Sequence, residues 1–389
     1  MKSCCKNVDI YDIDVIKQAT WETLEDKKLR RRDYSSFVSS YSDDLSARKV
    51  RNIAENNTSK IDLDTEVNRI SEDVLDRFKN KELNLPPITH KEKIDGMNKK
   101  VRLLGIEAPI QQVIEHVLVR MLEELWSRKL CRFQFASISG RGQLKGAKQI
   151  QEWTEDGELR YFVKLDIRKC FPSIRHDVLL KHLWKDLSRN EKLFNLLLLI
   201  LKTHCDGKVG LEIGSLLSQN LCNYVISDIY RYIESLHKFR RGKRISLVKH
   251  QLWFMDDGLL GGNNKNDLYK AINLVVEYAR EEWRLEIKPN WNIKNHDIEP
   301  INMMGYKIYG DGTLKVKREI YNRAAKSMNR YSASDITQAR SVTARYGHLK
   351  HAGITKIHKP NGKTIDVLRV KRNASEFVSN FDKKGSTEC

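Results

Sequence analysis

"LWFMDDGLLGG", residues 252–262, sets two adjacent aspartates between two apolar runs. Leu252, Trp253, Phe254 and Met255 come before Asp256 and Asp257, and Leu259 and Leu260 come after. Apolar runs this short, with turn residues nearby, predict two strands of a hairpin with the acids at its tip. An ionised carboxylate loses solvation on burial, so a pair beside hydrophobic strands must find compensation. Taken alone, the stretch reads as a hydrated acidic turn. What decides between that and a cation site is whether a third acid arrives beside the pair.

A candidate lies upstream in "LRYFVKLDIRKCFPSIRHDVLLKHLW", residues 159–184. Tyr161–Leu165 reads as a buried strand with Asp166 at its end, and Phe171-Pro172 begins a turn into a helix over 176–184. An Asp at a strand end is commonly a helix cap or a salt-bridge partner. If the two strands pair in one sheet, however, Asp166 meets Asp256 and Asp257, and such a cluster is unfavourable without a cation. Magnesium suits an all-oxygen site that keeps water or phosphate ligands. Two such ions about 3.5–4 Å apart can activate an attacking oxygen and stabilise a departing one.

Bulk properties narrow the partner. The chain has 389 residues, enough for two or three domains or subdomains. Lys plus Arg number 70 against 51 for Asp plus Glu, a formal charge of +19, which favours a polyanion such as nucleic acid. An anionic membrane is the competitor, yet the longest apolar run, "LFNLLLLIL" at 193–201, is too short to span a bilayer. "MKSCCKNVDIYDID" at the start has no apolar signal core, so a cytoplasmic protein off the membrane is expected. Seven cysteines, at 4, 5, 131, 170, 205, 222 and 389, show no paired zinc spacing and fit reduced thiols. His204 and Cys205 lack further ligands at zinc spacing and read as ordinary core or surface residues.

Composition also sketches the organisation. Residues 1–90 are charged and helical in pattern, with "LRRRDYSSF" a basic helix end and "LNLPPITHKE" a Pro-marked boundary. "APIQQVIEHVLVRMLEELW" from 108 spaces Ile110, Val113, Ile114, Val117, Leu118, Met121, Leu122 and Leu125 as one apolar helix face. "FASISGRGQLKGAKQI" at 135–150 is a Gly-rich basic loop running into a helix; it lacks Walker spacing, but its backbone and Arg141 could approach a phosphate.

In order, these blocks resemble the reverse transcriptases. "KKVRLLGIEAPIQQVIEHVL" (99–118) and "FASISGRGQLKGA" (135–147) are similar to the two fingers blocks, and "VKLDIRKCFPSI" (163–174) to the first palm motif. "GLEIGSLLSQNLCNYVISDIYRYI" (210–233) resembles the next motif, and "LWFMDDGLL" the catalytic hairpin. "WRLEIKPNW" (283–291) and "INMMGYKIY" (301–309) resemble the lysine-bearing motif and the primer-grip turn. The resemblance covers roughly residues 95–350. It implies an α+β fold with right-hand polymerase architecture: an antiparallel-sheet palm, helical fingers and a small helical thumb. The implied division is a helical N-terminal extension or fingers part over 1–94, fingers over 95–160, palm over 161–312, thumb over 313–355 and a C-terminal tail over 356–389.

The resemblance also implies roles. Asp166, Asp256 and Asp257 match the catalytic metal-binding carboxylates, with the Ile167 carbonyl a further metal ligand. Two Mg²⁺ ions are the implied cofactor, with Mn²⁺ a substitute. Phe171 matches the aromatic under the nucleotide sugar, where a bulky ring excludes a 2′-hydroxyl and selects dNTPs. Gln219 matches the glutamine near nucleotide and template base. Arg102 and Arg141 match triphosphate contacts. Lys288 matches the lysine near the leaving pyrophosphate, with Lys294 as a rival, and Gly305 and Tyr306 match the primer grip.

Two departures stand out: Phe254 replaces the usual tyrosine before the acids, and Leu217-Ser218-Gln219-Asn220 replaces the common "PQG". The "SQ" form resembles bacterial diversity-generating retroelements and phage-defence reverse transcriptases. No nuclease-like or ribonuclease H block is evident after 320. The basic, helix-prone stretch 317–350 fits a thumb, and the chain beyond 355 reads as a polar tail. The expected activity is an RNA-directed DNA polymerase copying RNA from dNTPs, in antiphage defence, with a retroelement enzyme making mutagenic cDNA as the alternative. An RNA-dependent RNA polymerase and an RNA-binding protein on a decayed palm are the readings from other classes. The implied partners are an RNA template, DNA product and dNTPs; a dedicated noncoding RNA, an accessory protein or an oligomer are compatible with the same residues.

Overall fold

The structure is a computed structural model that describes residues 3–94, 101–205, 207–332, 334–351, 353–358 and 363–384. Six helices come first: α1 (Ile13–Thr23), α2 (Asp26–Leu29), α3 (Arg32–Ser39), α4 (Ala47–Glu55), α5 (Ser59–Asp62) and α6 (Asp64–Asn80). The strands β1 (Thr89–Ile94) and β2 (Val101–Ile106) pair, and α7 (Pro109–Met121), α8 (Glu123–Lys129) and α9 (Gln143–Glu155) follow. Lys99 and Lys100, which begin the first fingers block, lie outside the described residues. Next come β3 (Tyr161–Asp166), α10 (Cys170–Ser173), α11 (His176–Leu187), α12 (Glu191–Leu201) and α13 (Leu216–Ser235). An exposed hairpin of β4 (His237–Arg240) and β5 (Lys243–Ser246) precedes β6 (His250–Phe254), β7 (Asp257–Gly262) and α14 (Lys265–Trp283). The remaining elements are β8 (Lys294–Asn295), β9 (Ile301–Met303), β10 (Tyr306–Ile308), β11 (Leu314–Val316), α15 (Arg318–Arg330), α16 (Ile336–His351), β12 (Lys356–His358), β13 (Thr364–Asp366) and α17 (Val367–Lys384).

The central sheet has the order β6-β7-β3-β8 and is antiparallel throughout. Successive side chains on a strand point to opposite faces, so each strand serves two cores. Val163, Leu165, Trp253 and Leu260 enter one, which they share with the N-terminal helices and with α7, α11, α12, α13 and α14. Phe162, Leu252 and Leu259 enter the other, against α9 and the β9–β10 hairpin. The outer edge of β6 is covered rather than left open. There Trp253 donates its N–H to Phe133 O at 2.8 Å, and Phe135 donates to Trp253 O at 2.9 Å.

Two helices depart from a simple reading of the sequence. The apolar residues expected on α7 are buried, but so are Gln111 and Glu115, because α1, α12 and α13 all pack on it. A single apolar face therefore understates its burial. Residues past 355, read as a polar tail, instead form β12, β13 and α17. Val367 and Ala374 share a core with Ala324, Met328, Ala339, Val342 and Leu349 of α15 and α16. The pattern was missed because few apolar positions suffice when a helix buries one narrow stripe against two neighbours.

Candidate active site

Strand register brings the expected acids together. In the β3–β7 ladder Asp166 stands directly opposite Asp257, and Asp256 lies in the turn between β6 and β7. Met255 enters that turn at φ 53°, a left-handed conformation uncommon for a side chain of its size. Ile167 donates its N–H to Asp256 O at 3.3 Å, which ties the turn to the continuation of β3. A Cβ at Gly258 would lie 2.8 Å from the Trp253 ring, so glycine is what lets the hairpin close over the buried tryptophan.

The electrostatics follow from that geometry. Burial pushes Asp256 above the usual carboxylate range, and the charges of Asp257 and Asp166 add to it while Arg102 opposes. Burial raises Asp257 as well, against Lys164, with Asp166 adding and Lys317 and Lys288 opposing. The side chains gathered here, the three carboxylates, offer oxygen donors alone. Hard oxygen donors with excess negative charge fit Mg²⁺ or Mn²⁺.

Lys288 completes the group. Its Nζ lies 2.7 Å from Asp166 Oδ2, and its backbone N–H donates to Asp166 O at 2.9 Å. Lys294, the rival read from sequence, instead pairs with Glu299. After Asp166 the chain turns through Lys169 at φ 46° into α10, which carries the half-buried Phe171. Phe171 O accepts the N–H of Leu211 at 2.9 Å, and Ile174 O that of Gly210 at 2.8 Å. The loop so held leads to Ser215, whose Oγ accepts the Ser218 N–H and caps α13. Gln219 sits one turn into that helix, half-buried.

Gly305 and Tyr306 belong to a tight hairpin. Met304 and Gly305 turn β9 into β10 with φ of 52° and 89°, the positive values a two-residue turn demands. A Cβ at Gly305 would sit 2.9 Å from Ile320 Cδ1 and 3.1 Å from His348 Nε2, so α15 and α16 close directly on the turn. The Tyr306 hydroxyl lies 3.0 Å from His351 Nδ1. Arg102 is exposed on β2, and its charge reaches Asp256. Arg141 is partly committed elsewhere: one terminal nitrogen donates to the carbonyls of Cys131, Arg132 and Gln134 at 2.5, 3.1 and 2.8 Å.

Residues 88–308, more than half of the chain, match the family described as "Reverse transcriptase (RNA-dependent DNA polymerase)". The chain belongs to the reverse transcriptase family. It is 22% identical over 205 residues to a putative COX1/OXI3 intron 1 protein of Saccharomyces cerevisiae, covering 43% of this chain and 24% of that protein. With the corresponding intron 2 protein it shares 19% over 261 residues, covering 53% and 30%. It thus spans less than a third of the length of these curated relatives. Among solved structures it is similar to a Candida albicans telomerase bound to a TWJ fragment of telomeric RNA, with TM-score 0.41 and 11% identity over 81% of this chain and 62% of that one. An apo telomerase of Candida tropicalis gives 0.47 and 11% over 94% and 82%.

This reverse transcriptase holds functional candidates that sequence reasoning passed over. Lys164 was legible, since it lies two residues before Asp166 on the same strand face. Lys317, which follows β11, reaches Asp257 only through tertiary packing. A second cluster is wholly interior. Ligating atoms of Glu107, Glu115 and His204 all lie within 4.8 Å of one another. Glu115 Oε1 is 3.0 Å from His204 Nε2, and Glu115 Oε2 accepts from Ser215 Oγ at 2.5 Å. Gln111 donates to Glu115 Oε1 at 3.3 Å, and His204 Nδ1 lies 3.3 Å from Ser218 Oγ. Burial and then the neighbouring Glu115 charge push Glu107 up to about 9. Burial would raise Glu115 too, but the bonds from His204, Ser215 and Gln111 bring it below its ordinary value. His204, read as an ordinary residue for want of ligands at zinc spacing, has its partners on other elements. The acid within the apolar run of α7 was the available signal.

Proposed function

We propose that the chain is an RNA-directed DNA polymerase that extends DNA from dNTPs on an RNA template. The observation that carries this reading is the β3–β7 register, which sets Asp166 opposite Asp257 with Asp256 in the adjoining turn, inside a segment matching the reverse transcriptase family. When bound, two Mg²⁺ ions, or Mn²⁺ in their place, would activate the attacking oxygen and stabilise the departing one. The three aspartates and the Ile167 carbonyl hold that charge at the strand ends. Lys288, already beside Asp166, offers an ammonium to the leaving pyrophosphate. Arg102, and the nitrogens of Arg141 not given to carbonyls, bind the triphosphate.

Specificity rests on neighbouring elements. Phe171 fills the space a 2′-hydroxyl would need, and Gln219 faces nucleotide and template base from α13. Gly305 and Tyr306 grip the primer terminus. We assign fingers to residues up to 160 and palm to 161–312. The thumb then begins at 313 and includes α17, because α15, α16 and α17 share one core. A groove lined by Arg323, Lys326, Arg330 and Arg345 supports a hold on the duplex backbone.

For biological setting we favour antiphage defence, with diversification of a target gene second; the Leu217-Ser218-Gln219-Asn220 form supports both. Phage challenge of cells carrying the wild-type gene or its Asp256→Ala form separates protection from its absence. For the activity itself, primer extension on RNA with dNTPs against NTPs decides. Deoxynucleotide incorporation supports the proposal, a preference for NTPs replaces it with an RNA polymerase, and RNA binding without synthesis replaces it with a binding protein.

A further inference from the structure

We propose that Glu107, Glu115 and His204 form a second, structural cation site, for a divalent first-row ion of the zinc type, distinct from the aspartates at the strand ends. The donor set comes first. Two carboxylates and one imidazole converge from three places: the residue two before α7, the middle of α7, and the turn after α12. Mixed oxygen and nitrogen donors of this kind suit zinc and its neighbours rather than magnesium. Adjacent donors around an ion with bonds of about 2.0–2.1 Å sit roughly 3 Å apart. Glu115 Oε1 and His204 Nε2 are separated by 3.0 Å.

Two further observations point to something bound. Glu107 Oε1 has no hydrogen-bond partner, although the residue is only 7% exposed. Gln111 Oε1 is likewise unpartnered, on a side chain with no exposure whose Nε2 already rests on Glu115. Buried polar atoms left open in this way are rare, and an unseen ion is one of the ordinary explanations. The outer contacts are also those of a ligand set. Ligating imidazoles usually engage their second nitrogen, and ligating carboxylates are usually hydrogen-bonded in turn. Here Ser218 meets His204 Nδ1, and Ser215 bonds Glu115 Oε2.

The placement gives such an ion a purpose. Ser215 is the cap of α13, the helix that carries Gln219. An ion held by Glu107, Glu115 and His204 would fasten α7, α12 and that cap into one unit, and so fix the loop running beside Phe171.

The test uses full-length protein stripped with a chelator, dialysed, and supplied with Zn²⁺ or Co²⁺. We expect wild type to retain about one zinc per chain after gel filtration and to melt several degrees higher with zinc than without. Co²⁺ should give the visible absorption of a protein-bound ion. Both signals should persist in Asp256→Asn, whose damage is confined to the other cluster, and vanish in Glu107→Gln and His204→Gln. Zinc lost from Asp256→Asn yet retained by His204→Gln would place the ion at the aspartates and overturn the proposal. So would stripped wild type that takes up no zinc and shows no change in melting, which leaves Glu107 and Glu115 sharing a proton. That second result is read on wild type alone, so it stands even if a variant fails to fold.

Discussion

Asp256 and Asp257 stand half-buried where two strands end, whereas Glu115 and His204 lie entirely inside, among three helices. Burial raises both aspartates, and the lysines near Asp257 only oppose that rise. Glu115 takes bonds from His204, Ser215 and Gln111 that outweigh its burial. The difference separates two uses of the same chemistry. On the proposed function, the under-compensated acids at the accessible edge take a cation together with substrate, while the interior group fastens elements and meets no substrate.

The largest effect that could break this comparison lies at the strand ends. Asp166→Ala should cut DNA synthesis by roughly 10³-fold, the scale of losing a preorganised electrostatic group, with melting temperature little changed. Glu115→Ala should do the reverse. Leaving buried hydrogen-bonding partners unsatisfied costs about 1–3 kcal/mol, so the denaturant midpoint should fall while activity per folded molecule is kept. If the two variants exchanged these outcomes, the division between working and fastening acids would be wrong.

Phe171 sharpens the comparison through selectivity. Phe171→Val should shift preference toward ribonucleotides by roughly 10- to 100-fold, the range a small steric change in a pocket gives. A purely packing role would lower stability and leave sugar preference alone. Competition between dNTP and NTP on one template, with melting recorded, distinguishes them.

The smallest effect concerns pH. A carboxyl whose pKa is raised in the folded state stabilises the fold below its unfolded value, and that contribution is lost as pH rises through the folded value. At neutral pH, metal-free protein therefore carries a cost at Asp257. Asp257→Asn should melt a few degrees higher than wild type in chelator. The gap should close on acidification or on adding Mg²⁺, and synthesis should fall only several-fold. An unchanged melting temperature across pH would mean that Asp257 is not desolvated as the fold indicates.

Much of the working site was legible because its acids follow apolar strands, and period-two alternation fixes which side chains meet. Once β3 and β7 pair, the meeting of Asp166 with Asp257 follows. The interior cluster was not legible. Glu107 lies two residues before α7 and Glu115 in its middle, but His204 arrives from a distant turn, and spacing along the chain carries no trace of that. The choice between Lys288 and Lys294 also waited on the structure, since only the short bridge of Ile167 with Ile287 puts Lys288 beside Asp166. Arg141 looked free for phosphate in the sequence, and loop carbonyls claim one of its nitrogens. The helix α17 was hidden by polarity, because its apolar stripe is narrow.

The central claim is that the hairpin acids perform metal-dependent DNA synthesis on RNA. Its most direct test is extension of a primer on an RNA template with dNTPs and Mg²⁺, comparing wild type with Asp256→Ala at matched folding and matched RNA binding. The account predicts dNTP incorporation by wild type that chelator abolishes, and none by Asp256→Ala despite retained RNA affinity. Equal synthesis by the two proteins would contradict it.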